Sequence, residues 1–291
     1  MVRPSSLEYN TETPDNTFQT QMPLDPSQVR SLANREFQEL ATNLIESGVA
    51  VEYLDSPEGA PDAVFPNNWF SIHEDGLLIL YPMKAANRRR ERQVESLKKS
   101  LKHLGFEVKE ILDLYTTYEA QGEFLEGTGS LVLDRDNRVV YASISERTSP
   151  NLAKIVAQKL GYELVLFQSM LNGVPIYHTN VLLSIGSRFA AVCLDVVTEG
   201  REALESALER SEKQIIKITT DELKAYCGNI IELRSSKFGS VLVMSGSAHK
   251  AFNRQIKLFE ALGCKVVKAD LTTIEAIGGG SARCMLAEAH F

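Results

Sequence analysis

The sequence is short of several things, and each shortage excludes a class of protein. No apolar run reaches the roughly 18 residues that a transmembrane helix needs, and the opening MVRPSSLEYN has no apolar stretch of the signal-peptide kind. Only four cysteines occur among 291 residues (Cys193, Cys227, Cys264 and Cys284), none in CxxC spacing. That pattern argues against a zinc site or a disulfide scaffold and for a reducing compartment. Positive charge is in deficit, 31 Lys and Arg against 38 Asp and Glu, for a net charge of −7. A general nucleic-acid or anionic-membrane binder is therefore not expected. The basic stretch ANRRRERQ (86–93) is then read chiefly as the solvated start of an amphipathic helix. One of its arginines could still meet a substrate carboxylate. With 44% hydrophobic residues the chain can bury a large core, and a soluble cytoplasmic protein is expected.

What is present is a repeat. ESGVAVEYL, HLGFEVKEI, KLGYELVLF and ALGCKVVKA each put a glycine where a helical pattern stops and an extended pattern begins. Glycine ends a helix in the left-handed conformation at little steric cost. Gly48, Gly105 and Gly161 follow one another at roughly 55-residue intervals, and Gly263 comes after about twice that interval. A degenerate copy is expected between them, and SEKQIIKI (211–218) fits. Val94, Leu97, Leu101 and Leu104 share one helical face, as do Phe252, Ile256 and Phe259. Ser149 with Pro150, and Ser247, read as helix starts. Between the helices lie paired strand patterns joined by HEDG, DRDN and GSR turns. Each unit is thus strand, strand, helix, strand. The fifth is split between the helix before Gly48 and a final strand in GGGSARCMLAEAH. The expectation is one α/β domain over residues 1–291, a five-bladed pseudo-symmetric propeller of ββαβ repeats closed by pairing its N- and C-terminal segments. The polar first 25 or so residues predict no element.

In such a ring the unit starts converge on the axis. PDAVFPNNWF, FLEGTGSLVL, IYHTNVLLSI, CGNIIEL and GGGSARCMLA carry Asp62, Asn67, Asn68, Glu126, His178, Asn180, Asn229 and Cys284 in otherwise apolar, strand-like runs. A polar side chain in a buried strand costs several kcal/mol unless paired. Each residue alone has an ordinary reading: a buried thiol, a satisfied histidine, a turn-capping glutamate or asparagine. A cysteine, a histidine and a glutamate at one place in three repeats have a chemical one, because thiolate catalysis needs a nucleophile, a proton shuttle and an orienting carboxylate. A phosphate cradle at the glycine run is disfavoured, since no GK[ST] follows and too little chain remains for a βαβ unit.

Taken together, PDAVFPNNW, LEGTG, SERTS, YHTN and GGGSARCM resemble, in that order, the motifs of the guanidine-modifying superfamily. It includes arginine deiminases, dimethylarginine dimethylaminohydrolases, amidinotransferases and arginine dihydrolases. With MVRPSSLEYNTET and YPMKAANRRRER, the chain is most similar to the bacterial amidinotransferase-like citrulline-utilisation hydrolases. The resemblance implies a pentein fold, Cys284 as nucleophile, His178 as general acid/base, and Glu126 holding substrate nitrogen. It also implies that Asp62 and Arg147 bind the amino-acid end, with Arg88 or Arg283, and that Asn67, Asn68, Asn180 and Asn229 line the pocket. No cofactor or metal is implied; the partner is a small amino-acid substrate, and homo-oligomerisation is left open. The sequence departs from the superfamily at Asn68 and Asn180, where deiminases carry carboxylates. A buried guanidinium facing amides loses its pairing. A neutral ureido group, with one acceptor oxygen and several N–H donors, suits amides. Citrulline, cleaved to ornithine, ammonia and carbon dioxide, is therefore the expected substrate. Arginine, by deimination or dihydrolysis, and dimethylarginine are the alternatives; less favoured are amidino transfer and a ring that only binds.

Overall fold

A computed structural model describes residues 1–289. Its repeat unit is an antiparallel strand pair, a helix, and a third strand that returns parallel to the second. A parallel return needs a crossover, and the helix supplies it. In the first sheet Phe70–His73 pairs with Leu77–Leu80 and then Glu110–Asp113, with helix Val94–His103 between. In the second, Val132–Asp134, Val139–Ser143 and Glu163–Leu171 enclose helix Pro150–Leu160. In the third, Leu183–Ile185, Phe189–Val192 and Gln214–Lys217 enclose Arg201–Arg210. In the fourth, Ile231–Ser235, Gly239–Ser245 and Lys265–Ala269 enclose Gly246–Ala251 and Ile256–Ala261.

The expected helix stops hold. Gly48, Gly105, Gly161 and Gly263 have φ of 81°, 83°, 69° and 92°. In the degenerate copy Glu212 takes the same conformation at φ 57°. An L-residue there costs about 1–2 kcal/mol, which is why the repeat was faint at that position. Helix Pro150–Leu160 starts as expected, with Ser149 accepting from the Leu152 N–H. Ser247 does not start its helix. Ser245, two residues earlier, is the cap, accepting from the Ala248 N–H, and Ser247 bonds Glu275 instead.

The split unit is built differently from the expectation. Its helix, Pro26–Glu46, is capped by Asp25 and buries Val29, Ala33, Phe37, Leu40 and Leu44 along one face. The valine, leucine and phenylalanine side chains among them each contribute about 1.5–3 kcal/mol when fully buried. Among the described residues, however, the GGGSARCMLAEA segment forms no strand; Thr272–Gly278 is a helix and 282–285 are turns. The N-terminal segment meets the C-terminal one through hydrogen bonds, the Thr20 N–H on the Ala276 carbonyl at 2.6 Å and Gln19 Nε2 and Asn16 Nδ2 on the Ile277 and Gly278 carbonyls at 3.2 Å, while Val2 bridges to Leu54. Among the described residues no sheet closes there.

Phe70, Val132, Leu183 and Ile231, one from the first strand of each sheet, line a single cavity of about 940 Å³. The polar N-terminal segment is packed down as well, with Asn10, Thr13, Asn16 and Gln19 buried. Among the described residues no helix is long and apolar enough to cross a membrane.

Candidate active site

The polar residues expected on first strands lie instead in or at the edge of short turns, most of them just ahead of those strands. Pro66–Asn68 is a 3-10 turn before the first sheet, Gly127–Ser130 a short helical turn before the second, and Thr179–Val181 a 3-10 turn before the third. Asn229 follows the turn at 225–228, and Cys284 sits in the turn at 282–285. A turn serves the site better than a strand here. A strand alternates its side chains between two faces, whereas a tight turn can aim consecutive residues at one place.

Each turn touches the next. Asn68 Nδ2 donates to the Glu126 carbonyl (3.3 Å), Thr179 Oγ1 to the Ser130 carbonyl (2.5 Å), and Asn229 Nδ2 to the Asn180 carbonyl (3.2 Å). The Arg283 N–H donates to the Asn229 carbonyl (3.3 Å). Gly280 lies so close to Phe65 that a Cβ there would stand 3.0 Å from its ring. Two clusters result.

The first is charged. Glu126 is fully buried; its Oε2 lies 2.8 Å from His178 Nε2, 3.5 Å from Arg147 Nη1 and 3.6 Å from Arg88 Nη1. Its Oε1 accepts the Lys84 N–H at 3.1 Å. Burial alone would raise the Glu126 pKa, but Arg147, His178 and Arg88 outweigh it and hold the carboxyl far below the ordinary range. Burial depresses the His178 pKa, Arg147 and Arg88 add to that, and Glu126 opposes them; the net shift is downward. Arg88 donates to both Glu91 oxygens (2.7 and 3.0 Å) and to Asn68 Oδ1 (3.0 Å), and lies 3.8 Å from Asp62. Burial lifts the Asp62 pKa against the pull of Arg88. Asp62 Oδ2 accepts from Asn10, whereas Asp62 Oδ1 and both amide atoms of Asn67 are buried with no hydrogen-bond partner among the described residues.

The second cluster surrounds the sulfur. Cys284 Sγ receives Asn229 Nδ2 at 3.1 Å and Asn180 Nδ2 at 3.5 Å. Tyr177, whose hydroxyl donates to the Gly279 carbonyl, joins the clusters: its ring packs at a tilt of 55° against that of His178, 4.7 Å between centroids, and lies under the Arg147 guanidinium at 4.9 Å.

Ten of the eleven expected residues thus fall in or beside these clusters. Arg283 does not. Its Nη1 donates to the Leu286 carbonyl (2.9 Å) and Nη2 faces Glu288 (3.6 Å), in the cavity along the first strands. Its neighbour Cys284 takes the inward position of the turn, so the two side chains diverge. Sequence reasoning missed Asp15, which accepts two 2.7 Å bonds from Arg147, and Asn10, Glu91 and Tyr177. Asp15 and Asn10 lie in a segment with no periodicity to read. Glu91 stands three residues after Arg88 in ANRRRERQ, a helix-pair spacing that was available as a signal.

A buried cysteine, a histidine–carboxylate pair and two buried arginines thus come together within a mixed α/β fold of several small sheets. A family model described as N,N dimethylarginine dimethylhydrolase, eukaryotic, matches residues 3–291, and the chain belongs to that family, within the guanidine-modifying superfamily. Among solved structures it is similar to apo ArgZ, an arginine dihydrolase from the ornithine-ammonia cycle in cyanobacteria (TM-score 0.73, 18% identity, 98% of this chain and 39% of that one). It is also similar to AgrE with ornithine and NAD+ (TM-score 0.75, 18% identity, 98% and 38%). A cysteine-to-serine variant of a Pseudomonas aeruginosa DDAH complexed with citrulline gives TM-score 0.64 at 16% identity, covering 95% and 96%. The chain thus spans about two fifths of ArgZ and AgrE. At these identities the likeness is one of fold. No curated protein sequence matches the chain.

Proposed function

We propose that this protein hydrolyses a free ureido amino acid, citrulline, through a covalent thiol intermediate. The observation that carries the reading is the amide beside the sulfur: Asn180 reaches Cys284 Sγ, and Asn68 stands beside Glu126 where a second carboxylate would suit a guanidinium. In the proposed course Cys284 attacks the ureido carbon as thiolate. His178 carries the proton to the leaving nitrogen, its cationic form stabilised by Glu126 at 2.8 Å. Ornithine departs and an S-carbamoyl enzyme remains. His178 then activates water, the thioester-like bond breaks, and the released carbamate decomposes to ammonia and carbon dioxide. Asp62 and Asn67 have unpaired buried polar atoms to offer the substrate. Arg147 is the group for an α-carboxylate, which in binding would take the place of Asp15. The same proposal makes residues 1–291 one propeller domain, with helix Pro26–Glu46 as the core of a fifth blade.

The family description favours a second reading, dimethylarginine as substrate with citrulline as product. Arginine, the substrate class of the dihydrolase neighbour, is the third arm of the test. Purified protein is incubated separately with citrulline, arginine and dimethylarginine, and ornithine, citrulline, ammonia and dimethylamine are measured. Ornithine and ammonia from citrulline support the proposal. Dimethylamine release with citrulline left intact overturns it.

A further inference from the structure

Asn229 was expected to bind substrate, but its carboxamide is fully engaged with the protein. One Nδ2 proton goes to Cys284 Sγ at 3.1 Å and the other to the Asn180 carbonyl at 3.2 Å. Its Oδ1 accepts the Cys284 N–H at 3.3 Å, and its own carbonyl accepts the Arg283 N–H at 3.3 Å. The residue is 2% exposed. No donor is left for a ligand. Asn180 differs: its amide nitrogen stands at 3.5 Å from the sulfur and its oxygen at 3.9 Å, and its carboxamide makes no further hydrogen bond among the described residues.

The backbone is arranged for this contact. Gly228 brings its turn so near Val181 that any Cβ would overlap the Val181 carbonyl. That approach carries Asn229 across to the Asn180 carbonyl and onto the cysteine turn. The task also requires an amide. Only Asn or Gln offers two donors, one to sulfur and one to a carbonyl, together with an acceptor for a backbone N–H, and an aspartate would place a second negative charge against a thiolate.

We propose that Asn229 positions Cys284 and stabilises its thiolate, gripping the nucleophile by sulfur and main chain at once. This rests on the reading of Cys284 as nucleophile. N–H bonds to a charged acceptor are about twice as strong as neutral ones, so the contact favours the ionised sulfur. Tyr177 and Tyr226 feel the charge of that sulfur and are themselves neutral near pH 7, since burial drives their pKa values far up. Glu275 holds the turn from behind through Ser281 (2.6 Å). His178, Glu126, Asp62, Arg88, Glu91, Arg147 and Asp15 make up the pocket charges, and none of them hydrogen-bonds the Asn229 side chain.

The test reads the sulfur and needs no turnover. Cys284 alkylation by iodoacetamide is followed by peptide mapping from pH 5 to 10 in the full-length protein and in Asn229→Ala and Asn229→Asp. Burial pushes the Cys193 and Cys264 thiols up to about 11 and Cys227 higher still. The midpoint of the profile should rise by about one pH unit in the alanine variant and further in the aspartate variant. Alanine adds no charge and carries the test by itself if the aspartate chain does not fold. Midpoints that coincide with wild type overturn the inference. Shifted midpoints in a protein that cleaves none of the three substrates leave the inference standing and overturn the proposed reaction.

Discussion

Glu126→Gln isolates charge from shape. Glutamine keeps the volume and an acceptor for His178, so the change removes a negative charge 2.8 Å from the imidazole, one that also faces Arg147 at 3.5 Å and Arg88 at 3.6 Å. At an effective dielectric of about 20 a full charge at that range is worth about 4–6 kcal/mol. Each pKa unit corresponds to about 1.4 kcal/mol, and with relaxation a fall of roughly 1–3 units is expected for His178. The sign is fixed by the neighbours. Glu126 is the group that opposes burial, Arg147 and Arg88, all of which favour the neutral ring. At neutral pH the protonated fraction should fall by about 10- to 1000-fold, and the step that protonates the leaving nitrogen should slow accordingly. The fold should survive, because Arg147 keeps Asp15 and Arg88 keeps Glu91. Ring NMR titration reports the protonation directly; the protein has five histidines, and Asn at position 178 assigns the signal by its loss. Identical His178 titration in wild type and Glu126→Gln would refute the electrostatic account, whatever happens to turnover.

Cys284→Ser should release no product from any of the three substrates while Tm moves by less than about 2 °C, because serine retains the Asn229 contact; residual turnover above a few per cent removes Cys284 from its role. His178 has a folded pKa below its ordinary 6.5, so its contribution to stability is present above that pH and is lost as pH falls toward the folded value. Wild-type Tm should therefore drop more steeply below pH 6.5 than that of His178→Asn, as read by scanning calorimetry. Asn180→Asp places a carboxylate near the sulfur and should raise the arginine-to-citrulline ratio of kcat/KM by about tenfold or more, equivalent to 1.4 kcal/mol; an unchanged ratio would show that Asn180 does not set substrate charge.

Much of the fold was legible because a repeated local rule produced it. Four glycines ended helices, three of them opened strands, and the units containing Gly105, Gly161 and Gly263 became sheets, as did the faint copy at Glu212. Of the units, the split one read least well: ESGVAVEYL forms only the bridge at Leu54, and the terminal GGGSARC run turns instead of extending. Alternating apolar residues specify a strand only when a partner edge is in place, and no local pattern reports that partner. The same limit displaced the site residues from strands to turns, since a single 3-10 turn leaves no periodicity to detect.

What the sequence by itself determined was the inventory: which units exist, and that a cysteine, a histidine and a glutamate stand at their starts. Tertiary structure decided what each polar group faces. Asn229 left the substrate for the sulfur, Arg283 left the pocket for Glu288, and Asp15 came from an unpatterned segment to cover Arg147. Helix and strand patterns follow from contacts a few residues apart, so one chain carries them. Burial, ion pairing and the pKa shifts they cause depend on groups separated by 55 residues for Asn229 and Cys284 and 132 for Asp15 and Arg147, and only folding brings those together.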